Sequence, residues 1–179
     1  MTSSFPAIDT VIAVHIELVE ALMHVWHHSS AVLADNRSVY YGLSRDQLER
    51  RLSQRREELD KWAVMMLVAS FEAAVRTDAA DRIKRKTKDA IRIPLKRLYD
   101  QKKQVSLKDI LDLWKKHTTI PSHLETKLNR LLIYRNWLAH GRHWIDKKSG
   151  MNPTPSEAQT FIHEYMETAQ KIIADFPRG

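Results

Sequence analysis

Apolar side chains return every three or four residues along most of this chain, and only 4 Gly and 6 Pro in 179 residues interrupt the pattern. Such a chain has few places to turn a strand and many to build a helix. Ile8, Val11, Ile12, His15, Leu18, Val19, Leu22, Val25 and Trp26 form the first stripe and predict an amphipathic helix from about Asp9 to His28. A polar loop with Asp35, Asn36 and Gly42 follows. Ser44 and Gln47 have the spacing of a capping box and open a long helix, whose later part places Leu59, Trp62, Ala63, Met66, Leu67, Ser70, Phe71 and Ala74 on one face. Its first turns, Arg45 to Asp60, are charged enough to project into solvent or toward a partner.

A basic segment comes next, with a break before Pro94 and a helix restarting there, because proline is tolerated in a first turn. Ser106 with Asp109 caps a short helix bearing Leu107, Ile110, Leu111 and Trp114. Ser122 with Glu125 offers a second capping box, and Thr154, Pro155 and Glu157 open a final helix with the stripe Ala158, Phe161, Ile162, Tyr165, Ala169, Ile172 and Ile173. The expected fold is all-α, an up-and-down bundle of five to six helices forming a single domain over residues 1–179.

Several functions are excluded at this level. No Cys is present, which removes disulfides, thiolate metal sites and thiol nucleophiles. The longest apolar run, Trp62 to Ala69, is far short of the roughly 20 residues that cross a bilayer. The start, Met-Thr-Ser-Ser-Phe-Pro, lacks the basic residues of a secretory leader, and Asp9, Glu17 and Glu20 break the apolar stretch after it, so a cytoplasmic location is expected. The net charge is +7. Between Arg82 and Lys103 ten Lys or Arg face two Asp, Asp89 and Asp100, a local excess of +8. Lys84, Arg85 and Lys86 lead that segment, which suits either a polyanion such as RNA or a solvated helix surface.

Residues 134–144 read Tyr-Arg-Asn-Trp-Leu-Ala-His-Gly-Arg-His-Trp. Arg135, Asn136 and His140 combine a fixed cation, an amide and a group that titrates near neutrality within about 1.5 helical turns. Cleavage of an RNA phosphodiester without a metal needs these three. Leu124, Leu128, Leu131, Leu132, Leu138 and Ala139 define the core-facing stripe of this helix, and Arg135 falls inside it, four residues after Leu131. A guanidinium there requires an anion or a cleft beside it, since burying it alone costs several kcal/mol. Asn136 and His140 stack on one face, about 40° apart, whereas Arg135 lies about 140° from His140 and must lean across to share a phosphate with it. Ala139 leaves room for a ligand, and Gly141 lets the helix end.

The Arg-Asn-x-x-Ala-His-Gly string resembles the Arg-x4-6-His signature of the HEPN superfamily, helical domains that include many ribonucleases of toxin and host-defence systems. The resemblance rests on about eleven residues plus helix order and chain length. It implies a metal-independent endoribonuclease in which a 2′-hydroxyl attacks the adjacent phosphorus, leaving a 2′,3′-cyclic phosphate and a 5′-hydroxyl. Carried onto these positions, Arg135 binds the scissile phosphate, His140 is general acid or base and Asn136 orients one of them. It also implies a homodimer with a composite site, and an antitoxin or regulatory protein as further partner. Glu72 and Arg76, in Ser-Phe-Glu-Ala-Ala-Val-Arg, resemble an acidic-x-x-x-basic pair that some of these families carry on an earlier helix. An ordinary i,i+4 ion pair explains the same spacing. Arg142 and His143 would extend the RNA contact. No cofactor or metal is expected, and the alternative function is a non-catalytic helical module that binds RNA, nucleotide or protein.

Other constellations are weaker. His24, His27 and His28 have helical spacing suitable for a transition metal but no evident carboxylate partner, and they fit a helix C-terminus better. His140 and His143 are separated by Arg142, which repels a cation. Trp137 and Trp144 flank His140 and suit either base stacking or packing. Phosphate-loop and nucleophile-elbow strings are absent.

Overall fold

The structure, a computed structural model, describes residues 6–86, 90–117, 119–140 and 149–174, with side chains described as far as 169. These contain seven helices and no strand: α1 (Pro6–His27), α2 (Ser29–Ala34), α3 (Arg45–Lys84), α4 (Arg92–Gln101), α5 (Leu107–His117), α6 (Ser122–Ala139) and α7 (Pro155–Ala174). The fold is all-α, with more helices than the five to six expected. The extra one is α2. It follows a one-residue interruption at His28 (φ −102°, ψ 25°), and six residues are too few for a periodic stripe to declare them. Its start is held by Val32 N–H on the His28 carbonyl at 3.1 Å.

Helix α3 is the axis of the molecule. Its 40 residues extend roughly 60 Å, and α1, α4, α5, α6 and α7 all pack on it. Ser44 begins it as expected: its hydroxyl accepts the Gln47 N–H at 3.2 Å, and the Gln47 side chain accepts the Ser44 N–H at 2.8 Å. Leu67, Val68, Phe71, Val75 and Ala79 are buried on it, meeting Ile8 and Val11 of α1, Leu128 and Leu131 of α6, and Ile162 and Tyr165 of α7 in one continuous core. The Phe71 and Tyr165 rings meet edge to face at 5.9 Å, a favoured aromatic geometry.

The charged first half of α3 does not stand free. Leu48 and Leu52 are buried, Arg45 lies over the Trp26 ring at 5.0 Å and Arg51 over Tyr40 at 5.6 Å. Four turns of charge therefore conceal a narrow apolar edge, whose Leu52 borders Leu22 and Trp26 of α1. Helix α4 begins at Arg92 rather than Pro94, with the Leu95 N–H on the Ile91 carbonyl at 2.9 Å closing the first turn. Pro94 sits within that turn, where its missing N–H would have no intrahelical partner.

The Ser122–Glu125 box does not form. Pro121 caps α6 instead, its carbonyl accepting from Leu124 and Glu125 N–H at 3.0 and 3.3 Å, and Glu125 pairs with Lys115 of α5 at 2.6 Å. At α5 and α7 the expected caps are present, with Ser106 and Asp109 bonding reciprocally, as do Thr154 and Glu157. No helix among the described residues is long and apolar enough to cross a membrane.

Candidate functional site

On α6 the buried face runs through Leu124, Leu128, Leu131 and Tyr134. Tyr134, not Arg135, follows Leu131 into the core, because a step of three and a step of four from a buried residue both remain near one face. The Tyr134 hydroxyl donates to Asn152 Oδ1 at 2.9 Å, tying the end of α6 to the segment that leads into α7. Leu132 and Leu138 are half-buried and Ala139 is exposed, so the apolar stripe is narrower than its spacing suggested.

Arg135 therefore occupies the shoulder of the helix, with 30% of its side chain exposed. The anion its position required is supplied by α3. Arg135 Nη2 donates to Glu72 Oε2 at 3.1 Å and Nη1 to Asn136 Oδ1 at 3.1 Å. Glu72 also accepts Arg76 on its other oxygen, with Nε at 3.1 Å and Nη2 at 2.8 Å, and Arg76 Nη1 reaches the Val105 carbonyl at 2.9 Å. Glu72 and Arg76 thus make the expected i,i+4 pair, but the pair is part of a larger cluster that joins α3, α6 and the connector before α5. The Val105 carbonyl and the Asn152 anchor carried no signal in the sequence.

Asn136 is exposed one turn before His140. His140 is the C-cap of α6, its N–H on the Asn136 carbonyl at 3.1 Å, and is itself exposed. The structure brings Arg135, Asn136, Glu72 and Arg76 together and leaves His140 at the adjoining helix end. Arg142, His143, Trp144 and Gly141 lie outside the described residues.

Neither protein-family models nor curated proteins nor solved structures give a match to this chain.

Lys84, Arg85 and Lys86 are exposed at the far end of α3, with Lys84 about 18 Å along the helix axis from Glu72. Lys86 adopts a left-handed φ of 53°. Part of the basic excess is neutralised by carboxylates just outside the segment: Asp78 holds Arg82 at 2.6 Å, Asp81 holds Arg85 at 3.3 Å and Asp109 holds Lys102 at 2.7 Å. The Lys102 ammonium and the Ser106 N–H and hydroxyl keep the Asp109 carboxyl down at about 2.

Trp137 is half-buried, its ring tilted against Tyr134 at 5.5 Å, which is packing rather than an open stacking face. His24 and His28 stack at 4.1 Å, and a His28 ring nitrogen meets the His24 carbonyl at 3.0 Å, the helix-end arrangement expected of them. Among the described residues no group of three or more His, Asp or Glu is placed to hold a metal ion. A groove of about 230 Å³ between α1 and α3, floored by Leu22, Trp26 and Leu52, lies apart from the motif.

Proposed function

We propose that this chain is a metal-independent endoribonuclease of the HEPN type, which cuts RNA by attack of a 2′-hydroxyl on the neighbouring phosphorus. The observation that carries the reading is the charge count at Glu72. One carboxylate serves two guanidiniums, those of Arg76 and Arg135, so the cluster retains one positive charge that a phosphodiester can match. Arg135 is bonded to the exposed amide of Asn136, and the exposed imidazole of His140 follows one turn later at the end of the same helix.

In this mechanism Arg135, aimed by its bond to Glu72, binds a non-bridging phosphate oxygen and stabilises the charge that builds there. Asn136, already bonded to Arg135, fixes the phosphate or the histidine. One imidazole takes the proton from the 2′-hydroxyl and another protonates the departing 5′-oxygen, giving a 2′,3′-cyclic phosphate and a 5′-hydroxyl. A single copy of the motif provides only His140 for these two tasks, so the site is composite, built across a homodimer. Lys84, Arg85 and Lys86, with Arg142 and His143, hold the flanking RNA. Such an enzyme suits a cytoplasmic toxin or phage-defence effector, restrained by an antitoxin or regulatory protein.

A second reading is a non-catalytic helical module that binds RNA, nucleotide or a protein partner. It is favoured by the fact that both terminal nitrogens of Arg135 are already engaged, as a purely positional residue would be. Incubation of purified protein with RNA in the presence of chelator separates the two. Cleavage with cyclic-phosphate ends, lost in Arg135→Ala and His140→Ala, is expected of the enzyme. Binding without cleavage selects the module.

A further inference from the structure

The basic segment is not uniform. Arg82, Arg85 and Lys102 are paired with Asp78, Asp81 and Asp109, whereas Lys96 and Arg97 on α4 and Lys103 in the connector to α5 are exposed and take part in no ion pair with a described carboxylate. Exposed cations outside these pairs therefore stand in two places, Lys84 and Lys86 at the end of α3, and Lys96, Arg97 and Lys103 on α4 and the residues after it. Asp100, one turn beyond Lys96, is the single acid of α4.

That helix also shows two apolar side chains to solvent, Ile93 at 58% and Tyr99 at 37% exposure. Tyr99 lies three residues beyond Lys96, so the ring and the ammonium are neighbours on the helix surface. A cation next to an exposed ring is the pairing that grips a nucleotide, phosphate on one and base face on the other. A lipid surface fits less well. Ile91 and Leu95 of this segment are spent in the core, and two exposed apolar groups are too little to seat a helix in a bilayer interface.

The position of this face relative to the candidate site is set by one bond. Arg76, which shares Glu72 with Arg135, donates to the Val105 carbonyl at 2.9 Å. Lys103 is two residues earlier, within about 7 Å along the backbone. The connector is therefore moored to the Arg135 cluster.

We propose that the exposed face of α4, continued by the connector after it, is a track for single-stranded nucleic acid leading to the Arg135 cluster, with Lys96, Arg97 and Lys103 holding phosphates and Tyr99 carrying a stacked base. RNA as its natural ligand rests on the ribonuclease reading; the track itself rests on charge and exposure.

A single strand of deoxythymidines about 12 nucleotides long tests it, because DNA lacks the 2′-hydroxyl and stays uncut. Binding is followed by fluorescence anisotropy across a salt series. Lys96→Glu with Arg97→Glu should lower the salt slope by about 1.4 and weaken binding about 25-fold at 0.1 M salt, from roughly 0.7 per phosphate contact on a single strand. Lys96→Gln with Arg97→Gln should reproduce that loss of slope. Tyr99→Ala should weaken binding at least about fivefold with the slope unchanged. Arg55→Glu with Arg56→Glu, the same charge change on the exposed first half of α3, should leave the slope within experimental error. Circular dichroism of each variant checks that its helix content is that of the parent.

No binding of the strand by the parent protein, or equal losses from the α4 and α3 double variants, would overturn the track. Capture by phosphatidylserine vesicles that depends on Lys96 and Arg97, with strand binding that does not, would assign the face to a membrane and overturn it too. The outcomes separate from those for catalysis. RNA cut normally by a protein whose strand binding ignores α4 sinks the track alone, while slope-dependent strand binding without any RNA cleavage sinks the ribonuclease alone.

Discussion

Replacing Glu72 by Gln removes one charge that two cations share. Arg135 and Glu72 meet at 3.1 Å with side chains 30% and 25% exposed, between a surface pair worth about 0.2–1 kcal/mol and a well-buried charged hydrogen bond worth about 1.5–3 kcal/mol. Partial exposure and a single N–H contact place it at about 1 kcal/mol. The Arg76 link is an i,i+4 pair with 41% of the arginine exposed, adding about 0.3–0.5 kcal/mol. The expected loss for Glu72→Gln is thus about 1.5 kcal/mol, or a Tm lower by about 3–6 °C for a chain of this size. The decisive assay is a urea-unfolding double-mutant cycle with Arg135→Gln. It should show a coupling of about 1 kcal/mol, since each single variant already breaks the α3–α6 bond. Additivity within about 0.3 kcal/mol would mean that Glu72 and Arg135 are not joined in solution, and the charge count behind the proposed site would fail with it.

Further outcomes are expected. His140→Ala should lower RNA cleavage by about 10²–10⁴-fold, the usual range for a general acid or base, measured in single-turnover gels; an unchanged rate would remove the histidine from the mechanism. Charge reversal at Lys84, Arg85 and Lys86 should flatten the salt dependence of RNA affinity, and an unaltered slope would return these residues to plain surface. Tyr134→Phe should cost about 1 kcal/mol in chemical denaturation by losing the bond to Asn152, without a change in helix content. The depressed Asp109 carboxyl stabilises the fold above its ordinary value near 4 and loses that contribution as pH falls toward about 2. Asp109→Asn should accordingly flatten acid unfolding over that window, and identical acid profiles would show that the Lys102 contact is not kept in solution.

Local chemistry was readable in the chain wherever a few adjacent residues decide the outcome. The caps at Ser44, Ser106 and Thr154 are of this kind, since each is fixed by a hydroxyl and an acceptor three residues on. Ser122 has the same spacing, yet Lys115 competes for Glu125 from another helix, and no pattern along α6 could announce that. Tyr134 and Arg135 were equally compatible with the core by their distance from Leu131. Side-chain polarity separates them in the structure: the Tyr134 ring is buried with its hydroxyl on Asn152, while the Arg135 guanidinium stays at the shoulder, 30% exposed and paired with Glu72. Glu72 shows the same limit from the other side. Its spacing to Arg76 was visible, but its bond to Arg135 spans 63 residues and depends on how two helices meet. The sequence therefore named Arg135, Asn136, Glu72 and Arg76 and left their connection to the packing.

The length of α3 has a consequence for how such a chain can change. Its early turns pack on α1, where Leu52 borders Leu22 and Trp26, and its later turns bring Phe71 to Tyr165 of α7 and Glu72 to Arg135 of α6. One rigid rod thus keeps both ends in rotational phase. Inserting a single residue near Glu58 would turn one end against the other by about 100°, carrying Leu52 off α1 while Glu72 stayed with Arg135. Tolerance to insertion should be tested there first, because a loop would absorb the extra residue and this helix can only transmit it.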